Sequence, residues 1–229
     1  MQERRQIVDR PVGPGPLKIV VCLPSGDSIK TRTVMSLLAL FKYIGDNPQF
    51  NIDLAITNHQ CSILPWGRSS CVEDALKMGA DYLFWVDSDM WFPPETLTTL
   101  LEHDKDVVGC IYAMKVEYEQ KPVLPYFGLK FEGVKPVPNL ATGLFLCKAE
   151  CFRKMVQPYF EFLWEDRYVG EDVVLSRRLR DMGYQLWCDF DLSKKVGHIG
   201  DKVYNLEGYT GEKLPPSLQA QKEKETPAG

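Results

Sequence analysis

Two aspartates separated by one residue, Asp87-Ser88-Asp89, directly follow the apolar run Tyr82-Leu83-Phe84-Trp85-Val86. An unbroken apolar run of that length reads as a strand buried on both faces. Two carboxylates just beyond such a strand are costly to leave unpaired. Open α/β folds place ligand crevices at the carboxyl ends of their strands. Hard cations such as Mg²⁺ and Mn²⁺ take carboxylate oxygens and share them with substrate phosphates. The chemistry expected at this turn is a cation held against a diphosphate. Asp also caps turns, so the motif alone fits a plain turn as well.

Further residues that could serve such chemistry lie far along the chain. Glu171-Asp172 follow Gly170 and head a stretch with helical apolar spacing, Val173, Val174, Leu175, Leu179 and Met182. A helix N-terminus favours ionised carboxylates, although capping alone is the plainer role. His198 stands between Gly197 and Gly200. A histidine there reads as a surface or core residue, or as a nitrogen donor beside a backbone that turns tightly. Arg68, in Pro65-Trp66-Gly67-Arg68, can pair with a phosphate or be a surface charge. Thr142-Gly143 precede the apolar run Leu144 to Cys147, where glycine permits close backbone approach or simply makes a turn.

Positioning these groups requires a regular scaffold. The chain has 229 residues, enough for one α/β domain or at most two small ones. We read residues 1–16 as an irregular lead-in, 17–204 as one domain and 205–229 as a disordered tail. Leu17 to Leu23 is the first buried strand, followed by the loop Pro24-Ser25-Gly26-Asp27-Ser28. That loop carries neither a Gly-x-Gly-x-x-Gly fingerprint nor a phosphate-binding Gly-Lys-Ser/Thr loop, which argues against dehydrogenase and P-loop kinase chemistry. Thr33 to Ile44 is expected to be a helix with Val34, Leu37, Leu38, Phe41 and Ile44 on one face. Phe50 to Thr57 alternates like a strand, Asn58 to Ser70 reads as a loop, and Cys71 to Met78 as a second helix. Pro93-Pro94 start another helix, and Val107 to Met114 is a strand. Lys115 to Pro138 reads as a hairpin or mobile flap. The loop aromatics Trp66, Trp91, Tyr126, Tyr159 and Trp164 are available for stacking or for packing the loops.

Composition excludes several classes. The formal net charge of −4 gives no global attraction to nucleic acid or anionic membrane. No apolar run approaches the ~20 residues that span a bilayer. The seven cysteines are odd in number and dispersed, pointing to a reducing cytoplasm without a disulfide framework or zinc site.

Taken in order, these motifs resemble the GT-A fold glycosyltransferases, enzymes that move a sugar from a nucleotide-sugar to an acceptor. The likeness covers residues 17 to 200. Leu17 to Ser25 resembles the opening nucleotide-binding strand. Gly67-Arg68-Ser69-Ser70 resembles the Arg-containing segment ahead of the metal strand, with Ser where the family often has Asn. Asp87-Ser88-Asp89 is similar to the Asp-x-Asp signature, Gly170-Glu171-Asp172 to the acidic helix start, and His198 to a last metal ligand.

The resemblance implies a Rossmann-like three-layer α/β/α sandwich with a mostly parallel central sheet. It implies a nucleotide-sugar donor, UDP-linked by preference, and Mn²⁺ or Mg²⁺ on Asp87, Asp89 and His198. Pro24, Ser25, Arg68, Ser88, Thr142 and Gly143 would contact the donor. Asp172 would be the base of an inverting reaction, with Glu171 holding the acceptor. The acceptor would be a saccharide, a protein or a hydroxymethylated DNA base, the acidic net charge weighing mildly against DNA. Small phage and bacterial members include DNA-base glucosylating types. Alternatives are a nucleotide-sugar-binding module without turnover and a nucleotidyltransferase, which usually opens with a Gly-rich basic loop unlike Pro24-Ser25-Gly26-Asp27.

Overall fold

The apolar run ahead of Asp87 is a strand whose five residues are all buried, near the middle of a seven-stranded sheet. The computed structural model describes residues 15–116, 120–124, 126 and 128–211. Of the expected lead-in, residues 1–14 lie outside that range. In chain order the elements are β1 (Leu17–Ser25), α1 (Thr31–Gly45), β2 (Ile52–Gln60), α2 (Leu64–Lys77), β3 (Tyr82–Val86), β4 (Met90–Trp91), α3 (Thr96–Glu102) and β5 (Val107–Gly109). They continue with β6 (Val134–Val137), β7 (Leu144–Lys148), α4 (Ala149–Arg153), β8 (Leu163–Trp164), β9 (Tyr168–Val169) and α5 (Glu171–Asp181). The last are β10 (Leu186–Asp189), α6 (Phe190–Ser193), β11 (Gly197–Ile199) and β12 (Val203–Asn205).

The main sheet has the order β2-β1-β3-β7-β5-β10-β6. Strands β2, β1, β3, β5 and β10 run the same way. β7 lies antiparallel between β3 and β5, and β6 antiparallel along β10. The protein is therefore mixed α/β, with most strands of its central sheet in one direction. The reversed β7 matters for the site. Its amino end, at Leu144, pairs with Val86 at the carboxyl end of β3. Thr142-Gly143 thus arrive beside Asp87.

A second, three-stranded sheet has the order β12-β11-β4. His198 sits opposite Met90 and Gly197 opposite Trp91. The Ile199 amide donates to the Asp89 carbonyl at 2.7 Å. This small sheet carries the late segment back to the aspartate turn.

The core beneath the turn is aromatic. Trp85 is fully buried, stacked on Phe145 with centroids 5.6 Å apart, and edge-on to Phe160 at 5.0 Å. Such ring pairs add ~0.5–1.5 kcal/mol beyond their buried area.

Several boundaries differ from the sequence reading. The span 58–70 is not a loop: β2 runs to Gln60 and α2 starts at Leu64. Pro65 occupies the first turn of α2, where its missing N–H costs nothing. The buried face of α1 is Thr33, Ser36, Leu37, Leu40 and Ile44, whereas Val34 and Leu38 are exposed. β5 stops at Gly109, not Met114. The expected flap falls partly outside the described residues, at 117–119, 125 and 127. Its described part includes Pro122, which bridges to Ala113 just ahead of it, and strand β6. The tail is expected from 205, yet residues 205–211 are ordered against the domain: Leu206 is buried and Tyr209 packs edge-on to Phe131 at 5.0 Å. Residues 212–229 lie outside the described range. No helix among the described residues is long and apolar enough to cross a membrane.

Candidate functional site

Asp87, Ser88 and Asp89 form the turn from β3 into β4, and the turn is fastened on three sides. The Asp87 amide donates to the Gly143 carbonyl at 2.8 Å. The Ser88 carbonyl accepts from the Lys30 amide at 2.8 Å and from the Thr33 hydroxyl at 3.1 Å, at the start of α1. The Asp89 carbonyl is held by β11, as above. With its backbone fixed this way, the turn presents two carboxylates with different partners.

Asp87 is paired with Arg68. The Nη2 of Arg68 donates to both Asp87 oxygens, at 2.8 and 3.0 Å, and Nη1 donates to the Thr142 carbonyl at 3.1 Å. Its Nε faces the Glu171 carboxylate at 3.7 Å. Arg68 is only 1% exposed, and its guanidinium lies 5.8 Å from the ring centres of both Trp85 and Phe160. Cation–π attraction strengthens as a site dries. Arg68 is thus a buried hub joining α2, the β3 turn, the β7 lead-in and the N-terminus of α5. It stands among the protein's own carboxylates rather than on an open rim, so it positions Asp87. Burial pushes the Asp87 carboxyl up, the Arg68 charge pulls it down, and the balance lies above the ordinary range.

Gly143 permits this closeness. A Cβ at that position would fall 2.3 Å from the Tyr112 hydroxyl oxygen and 2.8 Å from an Asp87 oxygen. The Gly143 amide donates to the Tyr112 hydroxyl at 3.1 Å. The close approach read from the sequence is therefore made by the protein's own Tyr112 and Asp87.

Asp89 has accessible partners. The Lys115 ammonium pairs with one of its oxygens. His198 Nε2 lies 3.4 Å from the other. The Nδ1 of His198 lies 3.1 Å from the Ala113 carbonyl. A carbonyl only accepts, so Nδ1 carries a proton. In a neutral ring Nε2 is then a lone pair facing a carboxylate, and two acceptors so close need a proton or another cation between them. Tyr112 packs edge-on to the imidazole at 5.0 Å. Burial raises the Asp89 carboxyl, but the neighbouring His198 and the Lys115 ammonium outweigh it and hold the group at about 2.

The acid pair begins α5. Asp172 Oδ1 accepts from the Val173 amide at 2.7 Å. Val174, Leu175 and Leu179 are buried and fix the helix. Burial pushes both Glu171 and Asp172 above the ordinary carboxylate range, against the pull of Arg68. Glu171 leans toward Arg68, while Asp172 is tied to its own helix start.

Pro24 and Ser25 close β1 at the same sheet end, where the Ser25 hydroxyl accepts from Asn58 at 2.9 Å. Of the aromatics singled out, Tyr126 and Tyr159 are buried, whereas Trp66, Trp91 and Trp164 are exposed. Tyr112 and Lys115 are site residues that the sequence reading did not single out. Both lie in the irregular stretch that follows β5.

Among the described residues, no three or more His, Cys, Asp or Glu side chains form a ready-made cation cage. The donor set of Asp89 and His198 nonetheless fits a hard divalent ion. An oxygen and an imidazole nitrogen face each other, the outer nitrogen is fixed by a carbonyl, and a cationic ammonium already rests on the carboxylate.

Neither protein-family models nor curated proteins match the sequence. Among solved structures, the chain is similar to the crystal structure of A197 from STIV. The TM-score is 0.50 over 87% of this chain and 98% of that one, at 17% identity. That likeness is one of fold.

Proposed function

We propose that the protein is a metal-dependent glycosyltransferase of GT-A type, acting on a nucleotide-sugar such as a UDP-sugar. The observation that carries this reading is the convergence of three distant segments at one sheet end. Asp87 and Asp89 follow β3, His198 comes on β11, and Glu171 joins through Arg68. The mixed sheet with most strands in one direction is compatible with the three-layer GT-A arrangement.

In this reading Asp89 and His198 hold Mn²⁺ or Mg²⁺, with Asp87 kept in place beside them by Arg68. When bound, such a cation offsets the negative charge that develops on a departing diphosphate. Donor contacts come from the β1 end at Pro24-Ser25 and from the Ser88 turn. Asp172 takes the proton of the acceptor hydroxyl, and Glu171 orients the acceptor. A carboxylate raised toward neutrality by burial is a better proton acceptor than a surface one. The acceptor is a saccharide, a protein or a hydroxymethylated DNA base.

The test is to incubate the purified protein with Mn²⁺ and a panel of UDP- and GDP-sugars. Slow release of the free nucleoside diphosphate supports a transferase. Binding without release would instead mean a module without turnover, and a parallel incubation with nucleoside triphosphate and sugar phosphate that released pyrophosphate would mean a nucleotidyltransferase.

A further inference from the structure

The two aspartates of the turn each have a cationic partner, and the two partners differ in whether they can leave. Arg68 is 1% exposed and has four anchor points: both Asp87 oxygens, the Thr142 carbonyl and the Glu171 carboxylate. Lys115 holds Asp89 with a side chain that is 33% exposed. Its stem passes over Gly200, where a Cβ would stand 3.4 Å from its Cδ and 3.6 Å from its Cγ. A lysine is a compact charge on a flexible four-carbon stem, so its ammonium can swing while the stem stays seated. An ion pair that is partly open to solvent and made by a flexible lysine is weak enough for a divalent ion to displace. A displaced ammonium remains within a stem's length of the same turn, where an anionic ligand would be bound.

We infer that Lys115 is a placeholder cation: it neutralises Asp89 in the empty protein, yields that carboxylate to the divalent metal, and then pairs with the diphosphate of the donor. This rests on the reading of Asp89 and His198 as metal ligands. It gives Lys115 two opposite effects, competing with the metal and assisting the nucleotide. A lysine that merely packs the segment would have neither.

Titration calorimetry separates these effects. Mn²⁺ is titrated into the wild type, Lys115→Met and Lys115→Gln, and UDP is then titrated at saturating Mn²⁺. Thermal melting first establishes that each variant is folded, and either variant suffices. Removing the competing charge should tighten Mn²⁺ binding roughly two- to fivefold. Losing a charge-assisted contact should weaken UDP binding about tenfold. Unchanged or weaker Mn²⁺ binding in the folded variants overturns the placeholder role. Tighter Mn²⁺ binding with unchanged UDP affinity overturns the handover to the diphosphate. If the wild type itself binds no Mn²⁺, the metal reading fails and takes this inference with it.

Discussion

The Nη2 of Arg68 reaches both carboxylate oxygens of Asp87, at 2.8 and 3.0 Å, from inside the protein. This pair links the interior of α2 to the turn that carries the candidate chemistry. Its burial makes the pair part of the structure of the domain. Removing one member of a buried ion pair leaves an uncompensated charge, at a cost of about 3–5 kcal/mol.

Arg68→Met should therefore destabilise the fold by about that amount in urea unfolding. It strands Asp87 and Glu171 together. Adding Asp87→Asn to Arg68→Met should restore part of the loss, because the stranded charge is then removed. An Arg68→Met protein as stable as the wild type would contradict the buried-hub role.

Asp172 and Glu171 are expected to separate kinetically. Asp172→Asn keeps the shape and removes the proton acceptor, so kcat should fall ~10²–10⁴-fold with donor binding nearly unchanged. Glu171→Gln should mainly raise the acceptor KM. It should also reduce stability, since Glu171 faces Arg68 at 3.7 Å. A loss of kcat in Glu171→Gln alone would swap the roles. No kinetic change in either variant would leave the acid pair as helix caps.

The pair His103 and Asp189 makes a pH test away from the site. Asp189 is buried, which raises its carboxyl, but His103 Nε2 at 2.8 Å and the Leu192 amide at 2.8 Å outweigh that and hold it below the ordinary value. A depressed carboxylate contributes stability that is present above the unfolded pKa, near ~3.9, and lost as pH falls through the folded one. Urea unfolding from pH 7 downward should show that acid-side loss in the wild type. In Asp189→Asn the contribution is absent throughout, so the two stabilities should converge as pH drops below ~3.9. A constant gap between them down to pH 2 would contradict it.

The sequence was informative where burial imposes a period and silent where contacts are long-range. Tyr82 to Val86 is apolar throughout because both faces are covered, so the strand and the carboxylates beyond it could be read directly. The α5 start at Glu171 was equally plain, marked by Gly170 and the spacing of Val174, Leu175 and Leu179. Arg68 was misplaced because Pro65 and Gly67 look like loop residues, although proline in a first turn is compatible with helix. The surroundings of His198 rest on a two-residue pairing between β4 and β11, which leaves no local signature. Tyr112 belongs to the apolar run that reads as a strand to Met114, and Lys115 follows it. That stretch is held by single hydrogen bonds and one bridge, so its pattern does not show that the two residues meet the aspartate turn. Val34 and Leu38 follow helical spacing yet face outward, since the buried stripe of α1 includes Thr33 and Ser36 instead.

The central claim is that Asp89 and His198 bind the cation on which transfer depends. Its most direct test is nucleoside diphosphate release from a nucleotide-sugar by the wild type, Asp89→Ala and His198→Ala, with Mn²⁺ and with excess EDTA. The expected result is release by the wild type with Mn²⁺, none in EDTA, recovery on restoring Mn²⁺ or Mg²⁺, none from Asp89→Ala, and at least about tenfold weaker Mn²⁺ dependence in His198→Ala. Full wild-type release in excess EDTA, or an Asp89→Ala protein as active as the wild type, would contradict it.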